Sequence, residues 1–128
     1  MIKLIYVASG GAVGAVLRYL TSNFYKFYLP NFPIGTLFIN FIGSFLVGIL
    51  ASNLESRGTS DIFIKYFLII GILGSFTTFS TFSFETLQLV NDKKLFLSLV
   101  YIFLSVFLCI FGAFFGFNII KFSFDKKF

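Results

Sequence analysis

Asn40 is the residue with the most chemistry to offer. It stands in Gly35-Thr36-Leu37-Phe38-Ile39-Asn40-Phe41-Ile42-Gly43-Ser44, where Thr36, Asn40, Gly43 and Ser44 recur three and four apart. That spacing places all four on one helix face. The Asn40 amide offers two N–H donors and a carbonyl acceptor. A second polar store is the run Gly74-Ser75-Phe76-Thr77-Thr78-Phe79-Ser80-Thr81-Phe82-Ser83-Phe84-Glu85. Within it Phe79 and Phe82 lie three apart on one face, and ring edges carry partial positive charge. A third stripe repeats Tyr101, Ser105 and Cys109 at four-residue spacing and continues through Gly112 and Gly116. Uncharged donors and ring edges of this kind can coordinate a small anion. Each stripe also has a plainer reading, as hydrogen bonding and packing between helices. No stripe pairs a nucleophile with a base, and the chain contains no His, the commonest general base. This is not the residue set of an enzyme.

The charged residues near these stripes are few. Arg18 follows Gly10-Gly11-Ala12-Val13-Gly14-Ala15, whose small ridges let helices approach closely. Its guanidinium has two readings: a side chain that snorkels or pairs structurally, or an anion access point. Glu85 is a carboxylate near the end of an apolar segment. Cys109 is the sole cysteine, which excludes an internal disulfide or a cysteine metal cluster.

The elements that must carry these stripes are membrane helices. Of 128 residues 58% are hydrophobic and only 12% charged, about half the charged share of a soluble domain. Mean hydropathy is +0.97. A spanning helix needs about 20 mostly apolar residues, and four segments qualify: 4–28, 34–54, 62–90 and 95–120. Turn-forming sequences separate them: Pro30-Asn31-Phe32-Pro33, Glu55 to Asp61, and Asn91-Asp92-Lys93-Lys94. Residues 1–128 then read as a single transmembrane domain of four helices, all-α, with the lipid bilayer as solvent. Cleavage of a leader near Ala15 is the weaker alternative, because it would discard half of the first span.

With four spans both termini share a side. Lys3, Arg57, Lys65, Lys121, Lys126 and Lys127 fall there, against Lys26, Lys93 and Lys94 opposite. The bias is six to three, a weak instruction under the positive-inside rule. It fits a termini-inside protein, or insertion both ways round with an antiparallel homodimer. The scattered lysines form no basic patch, so no nucleic-acid partner is expected.

The third segment predicts a break. Gly71 and Gly74 weaken the helix, and hydroxyls compete for its backbone hydrogen bonds. An interruption between Gly74 and Thr78 falls near mid-span. Carbonyls freed there can hold a small cation.

Three stretches together resemble the CrcB/Fluc family of bacterial fluoride channels: Gly10 to Tyr19, Gly35 to Gly48 with its Gly-Thr-x-x-x-Asn, and Gly74 to Glu85 with its Thr-Thr-Phe-Ser-Thr-Phe core. The resemblance runs from Gly10 to about Gly116 and implies a passive fluoride-selective channel of the bacterial inner membrane that lowers cytoplasmic fluoride. It implies an antiparallel, dual-topology homodimer with two pores and a structural sodium ion at the dimer centre. The sodium would be held by backbone carbonyls of Gly74 and Thr77 from both subunits. The pore would be lined by Phe79, Phe82, Asn40, Ser80, Thr81 and Thr36, with Tyr101 and Ser105 continuing the polar track. Arg18 stays a candidate for anion access. At Cys109 some relatives would carry a hydroxyl. The alternative function is a small dual-topology multidrug or cation exporter, for which Glu85 is the only candidate proton carrier.

Overall fold

The computed structural model describes residues 1–26, 31–58 and 61–125. Tyr28, Pro30, Thr59, Ser60, Lys126 and Lys127 lie outside the described residues, as does the side chain of Lys26.

Helix α1 runs Ile2–Lys26 and α2 runs Ile34–Arg57. The third segment begins with α3, Phe63–Leu73, which is wound as a π-helix and passes into a single α-turn, Gly74–Phe76. It resumes as α4, Phe79–Asn91, and α5 follows at Leu95–Asp125. The described residues contain no strand. Among the described residues four stretches are long and apolar enough to cross a membrane: Ile2–Phe24, Ile34–Arg57, Phe63–Asn91 and Leu95–Phe122. Each overlaps one of the four segments read from the sequence, and the second and fourth helices extend about a turn beyond the ends given there.

The turns follow from local chemistry. Gly58 ends α2 in the left-handed conformation (φ 59°), and its N–H donates to the Glu55 carbonyl. Asp61 Oδ1 accepts from the N–H groups of Phe63 and Ile64, meeting donors that a helix start leaves unpaired. At the α4–α5 turn Lys93 takes φ 60°, and Lys94 N donates to Leu89 O at 2.9 Å.

Two seams of small residues set the frame. Gly10 and Gly14 of α1 press against the α3 backbone at Gly71 and Ile72, with no room for a Cβ. Gly48 of α2 meets the Ala113 carbonyl of α5, while Gly116 of α5 meets the Phe45 carbonyl of α2. The glycine ridges read from the sequence are thus helix contacts. Between α2, α4 and α5 lies a small core of Leu37, Phe82, Leu89 and Tyr101. Much of the outer surface is aromatic: Phe103, Phe107, Phe111 and Phe115 of α5 stack in a ladder, with centroids 5.7–6.3 Å apart.

Candidate ion pathway

The polar face of α2 looks at the junction between α3 and α4. Asn40 grips Thr78 at both ends of its peptide groups. Its Nδ2 donates to Thr78 O at 2.9 Å, and Thr78 N donates to Asn40 Oδ1 at 2.7 Å. These bonds take the place of helical ones. Thr77 (ψ 153°) and Thr78 (φ −151°, ψ 122°) are accordingly extended. Gly74 itself is helical (φ −64°, ψ −30°), and the irregular backbone lies at Thr77 and Thr78. Gly43 permits the approach, since a Cβ there would run into Thr77 Cγ2.

The carbonyls around the junction divide into taken and free. Leu73 O accepts from Thr77 N and from Thr77 Oγ1, at 3.0 and 2.9 Å. Ser75 O accepts from Arg18 Nε at 3.1 Å. Thr78 O is held by Asn40. Gly74 O and Thr77 O accept no hydrogen bond among the described residues. Unpaired carbonyls are hard oxygen donors, so this pair fits the partial shell of a hard monovalent cation.

An open cleft of about 380 Å³ lies against this junction. Asn40, Ser44, Gly74, Thr77, Thr78, Phe79, Phe82, Ser105 and Cys109 line it, and none of its lining residues carries a charge. Donors remain to be used there. The Ser105 hydroxyl oxygen is buried without a hydrogen-bond partner, and one of the two Asn40 amide hydrogens is not needed by Thr78. The two rings differ in setting. Phe79 is 76% exposed, whereas Phe82 is 8% exposed, with centroids 5.3 Å apart.

A second cavity of about 500 Å³ opens near the α4–α5 turn and is lined by Thr36, Glu85, Gln88, Asp92 and Lys94, among others. Thr36 Oγ1 donates to Glu85 Oε1 and the Tyr101 hydroxyl to Oε2, both at 2.8 Å. Tyr101 is fully buried, and its ring stacks at a tilt on Phe82, 5.2 Å away. It therefore touches the lining of both cavities.

The structure thus gathers Asn40, Phe79, Phe82 and Ser105 at one cleft beside Gly74 and Thr77. It places Thr36 in the second cavity and Tyr101 between. Ser80 and Thr81 line neither cavity. They lie in the first turn of α4, which Thr78 caps: Thr81 N donates to Thr78 Oγ1, and Ser80 Oγ lies 3.2 Å from that same oxygen. Arg18 lines neither and binds the backbone at Ser75. Glu85 is the residue that spacing failed to place in the site. Its signal was its position as the one carboxylate of the third segment, near that segment's end, but nothing local names Thr36 and Tyr101 as its donors.

A family model described as CrcB-like protein, Camphor Resistance (CrcB), matches residues 5–117. The fluoride-specific ion channel FluC of Campylobacter jejuni (strain ATCC 700819) is 44% identical over 119 residues, spanning 92% of this chain and 97% of the relative. FluC of Agrobacterium fabrum is 43% identical over 117 residues, spanning 91% and 94%. FluC of Flavobacterium psychrophilum is 38% identical over 122 residues, spanning 94% and 98%.

Proposed function

We propose, from the premise that this chain belongs to the CrcB family, that it is a passive, fluoride-selective channel of the bacterial membrane. It is a multi-pass membrane protein and not an enzyme. The observation that carries the reading is the uncharged cleft with unused donors at Asn40 and Ser105.

Fluoride is small and tightly hydrated. A pathway that strips its water must offer replacement donors without a fixed cation that would trap it. The Asn40 N–H, the Ser105 O–H and the edges of Phe79 and Phe82 meet that requirement. Asn40 is rigid because Thr78 holds its other groups, so its donor is fixed in advance of the ion. Tyr101, in ring contact with Phe82, leads from this cleft to the cavity at Thr36 and Glu85. Glu85 there has each oxygen engaged by a hydroxyl. A carboxylate committed in this way suits a wall of the path better than the free proton carrier that the exporter alternative requires.

The cleft is open on one side, and a second copy of the chain would close it. An antiparallel homodimer supplies that copy and gives two pathways. Gly74 O and Thr77 O from each subunit would then hold a structural sodium ion at the dimer centre. It supplies positive charge that joins the subunits, while the chain's own groups handle the anion. Weakly acidic HF crosses bilayers and ionises inside the cell. An inside-negative potential drives the anion out with about 2.3 kcal/mol per charge per 100 mV.

Purified protein in liposomes tests the function. With valinomycin and potassium present to carry compensating charge, loaded fluoride should leave rapidly and loaded chloride should not, with no exchange of cationic drugs for protons. Equal fluoride and chloride release, or drug–proton exchange, would replace this reading with another.

A further inference from the structure

We infer that Arg18 is a positioning residue for the cation site at the helix junction, and that its bond to Ser75 holds the Gly74 and Thr77 carbonyls in place. The role rests on the proposal that sodium binds there. In an unbroken helix each carbonyl accepts from the N–H four residues on. At the junction those donors are diverted. The Thr78 N–H, which Gly74 O would otherwise accept, goes to Asn40 Oδ1 at 2.7 Å. The Thr81 N–H, which Thr77 O would otherwise accept, goes to Thr78 Oγ1 at 3.2 Å. Ser75 O lies between the two freed carbonyls. Its own helical donor, Phe79 N, begins α4 beyond the extended residues. Arg18 Nε takes that donor's place at 3.1 Å, from 57 residues away. Gly74 lacks a Cβ and its carbonyl is unpaired, so its peptide group has few restraints of its own. The clamp on the next residue supplies one.

Helix α1 is shaped to deliver this bond. Gly11, Gly14 and Arg18 share one of its faces. Gly14 has no room for a Cβ against Ile72, and a Cβ at Gly11 would meet Ser75 Oγ at 3.3 Å. That close seam brings the part-buried guanidinium to the junction. Snorkelling to the boundary would leave Ser75 O bare. A fixed cation repels sodium, so the charge of Arg18 by itself opposes the site. Position and charge therefore predict opposite effects of removing the side chain. Two substitutions separate them. A Gln Nε2 stands as many bonds from the backbone as an Arg Nε, so Arg18→Gln keeps the donor and drops the charge. Arg18→Met keeps a stem of similar length and drops both.

The test uses the whole protein in detergent, with N-methylglucamine replacing sodium and sodium chloride then titrated in at constant ionic strength. Dimer fraction is read by size exclusion with light scattering. Arg18→Met should need about tenfold more sodium than the wild type or beyond, while Arg18→Gln should stay within about threefold. Their helicity by circular dichroism should match at high sodium. An unchanged or lower sodium requirement in Arg18→Met overturns the inference, and so does an Arg18→Gln shift as large as that of Arg18→Met. If the wild type and both variants assemble alike without sodium, the sodium reading itself fails and takes the inference with it. A second measurement needs only the wild type and decides the matter if Arg18→Met does not fold. The chain has two arginines, Arg18 and Arg57, so nitrogen-15 arginine labelling gives two Nε–H resonances, assigned with Arg57→Lys. The Arg18 resonance should move over the same sodium range in which the dimer forms. A resonance that ignores sodium while the dimer forms overturns the inference.

Discussion

Helix α2 makes two contacts of opposite kind. Its Gly48 half meets α5 backbone to backbone, with Gly48 on the Ala113 carbonyl and Gly116 on the Phe45 carbonyl. Its Asn40 half meets α3 and α4 through hydrogen bonds, Asn40 to Thr78 and Thr36 to Glu85. The first seam leaves no space at its glycines. The second leaves a cleft, free carbonyls and unused donors. A membrane protein cannot rely on apolar burial between helices, because lipid is as apolar as Leu. One seam therefore gains contact by shape, and its glycines do nothing else. The other gains it by polar pairing, and groups left over from that pairing are available for an ion.

The contrast predicts where substitutions act. The largest effect is expected from Gly48→Val or Gly116→Val, since each forces a branched side chain into a backbone carbonyl. The cost should exceed about 3 kcal/mol, at the upper end of overpacking. Size-exclusion chromatography in detergent should show little folded protein. A normal yield would break the distinction between the seams.

Gly74→Val comes next and behaves differently. A Cβ at Gly74 meets only the Ile69 carbonyl, at 3.5 Å, and the backbone there is helical. The single subunit should tolerate it, at the modest cost of a β-branched residue in a helix. Loss of dimer and of fluoride flux, with helicity retained by circular dichroism, is expected if a partner packs at this point. Thr77→Ser should be mild, because the oxygen offered is a backbone carbonyl. A dimeric, conducting Gly74→Val protein would remove the dimer-centre assignment.

Phe79→Ile and Phe82→Ile separate pathway from packing. Each should cut fluoride efflux about tenfold. Only Phe82→Ile should also lower stability, by up to about 1.5 kcal/mol, because Phe82 is in the core and Phe79 is not. Unchanged efflux in both would return the rings to packing. The smallest effect is expected from Thr36→Val. It removes one hydrogen bond to Glu85, worth about 1 kcal/mol or somewhat more for a charged acceptor. Thermal denaturation in detergent should show a shift of a few degrees.

Much of this division was legible in the sequence. The glycine ridges and the Thr36–Asn40–Gly43–Ser44 face repeat at helical spacing, and periodicity is what a single sequence displays best. The π-winding of Phe63–Leu73 was not legible, because those residues read as an ordinary apolar helix. The position of the irregular backbone was legible only in part. Glycines and hydroxyls pointed to the stretch from Gly74 to Thr78, but the partner that holds the extended residue, Asn40, lies 38 residues away from Thr78. The Thr36–Glu85–Tyr101 cluster joins residues 49 and 16 apart, separations that no local pattern encodes.

The central claim is that fluoride crosses as a free ion, downhill and uncoupled. Fluoride release from proteoliposomes, followed with a fluoride electrode under a potassium gradient, tests it most directly. The account predicts little net release until valinomycin carries compensating charge, then rapid release toward electrochemical equilibrium. With the potential clamped at zero, a sodium gradient alone should move no fluoride. Release indifferent to valinomycin, or uphill fluoride movement driven by sodium, would contradict the account and make the protein a coupled transporter.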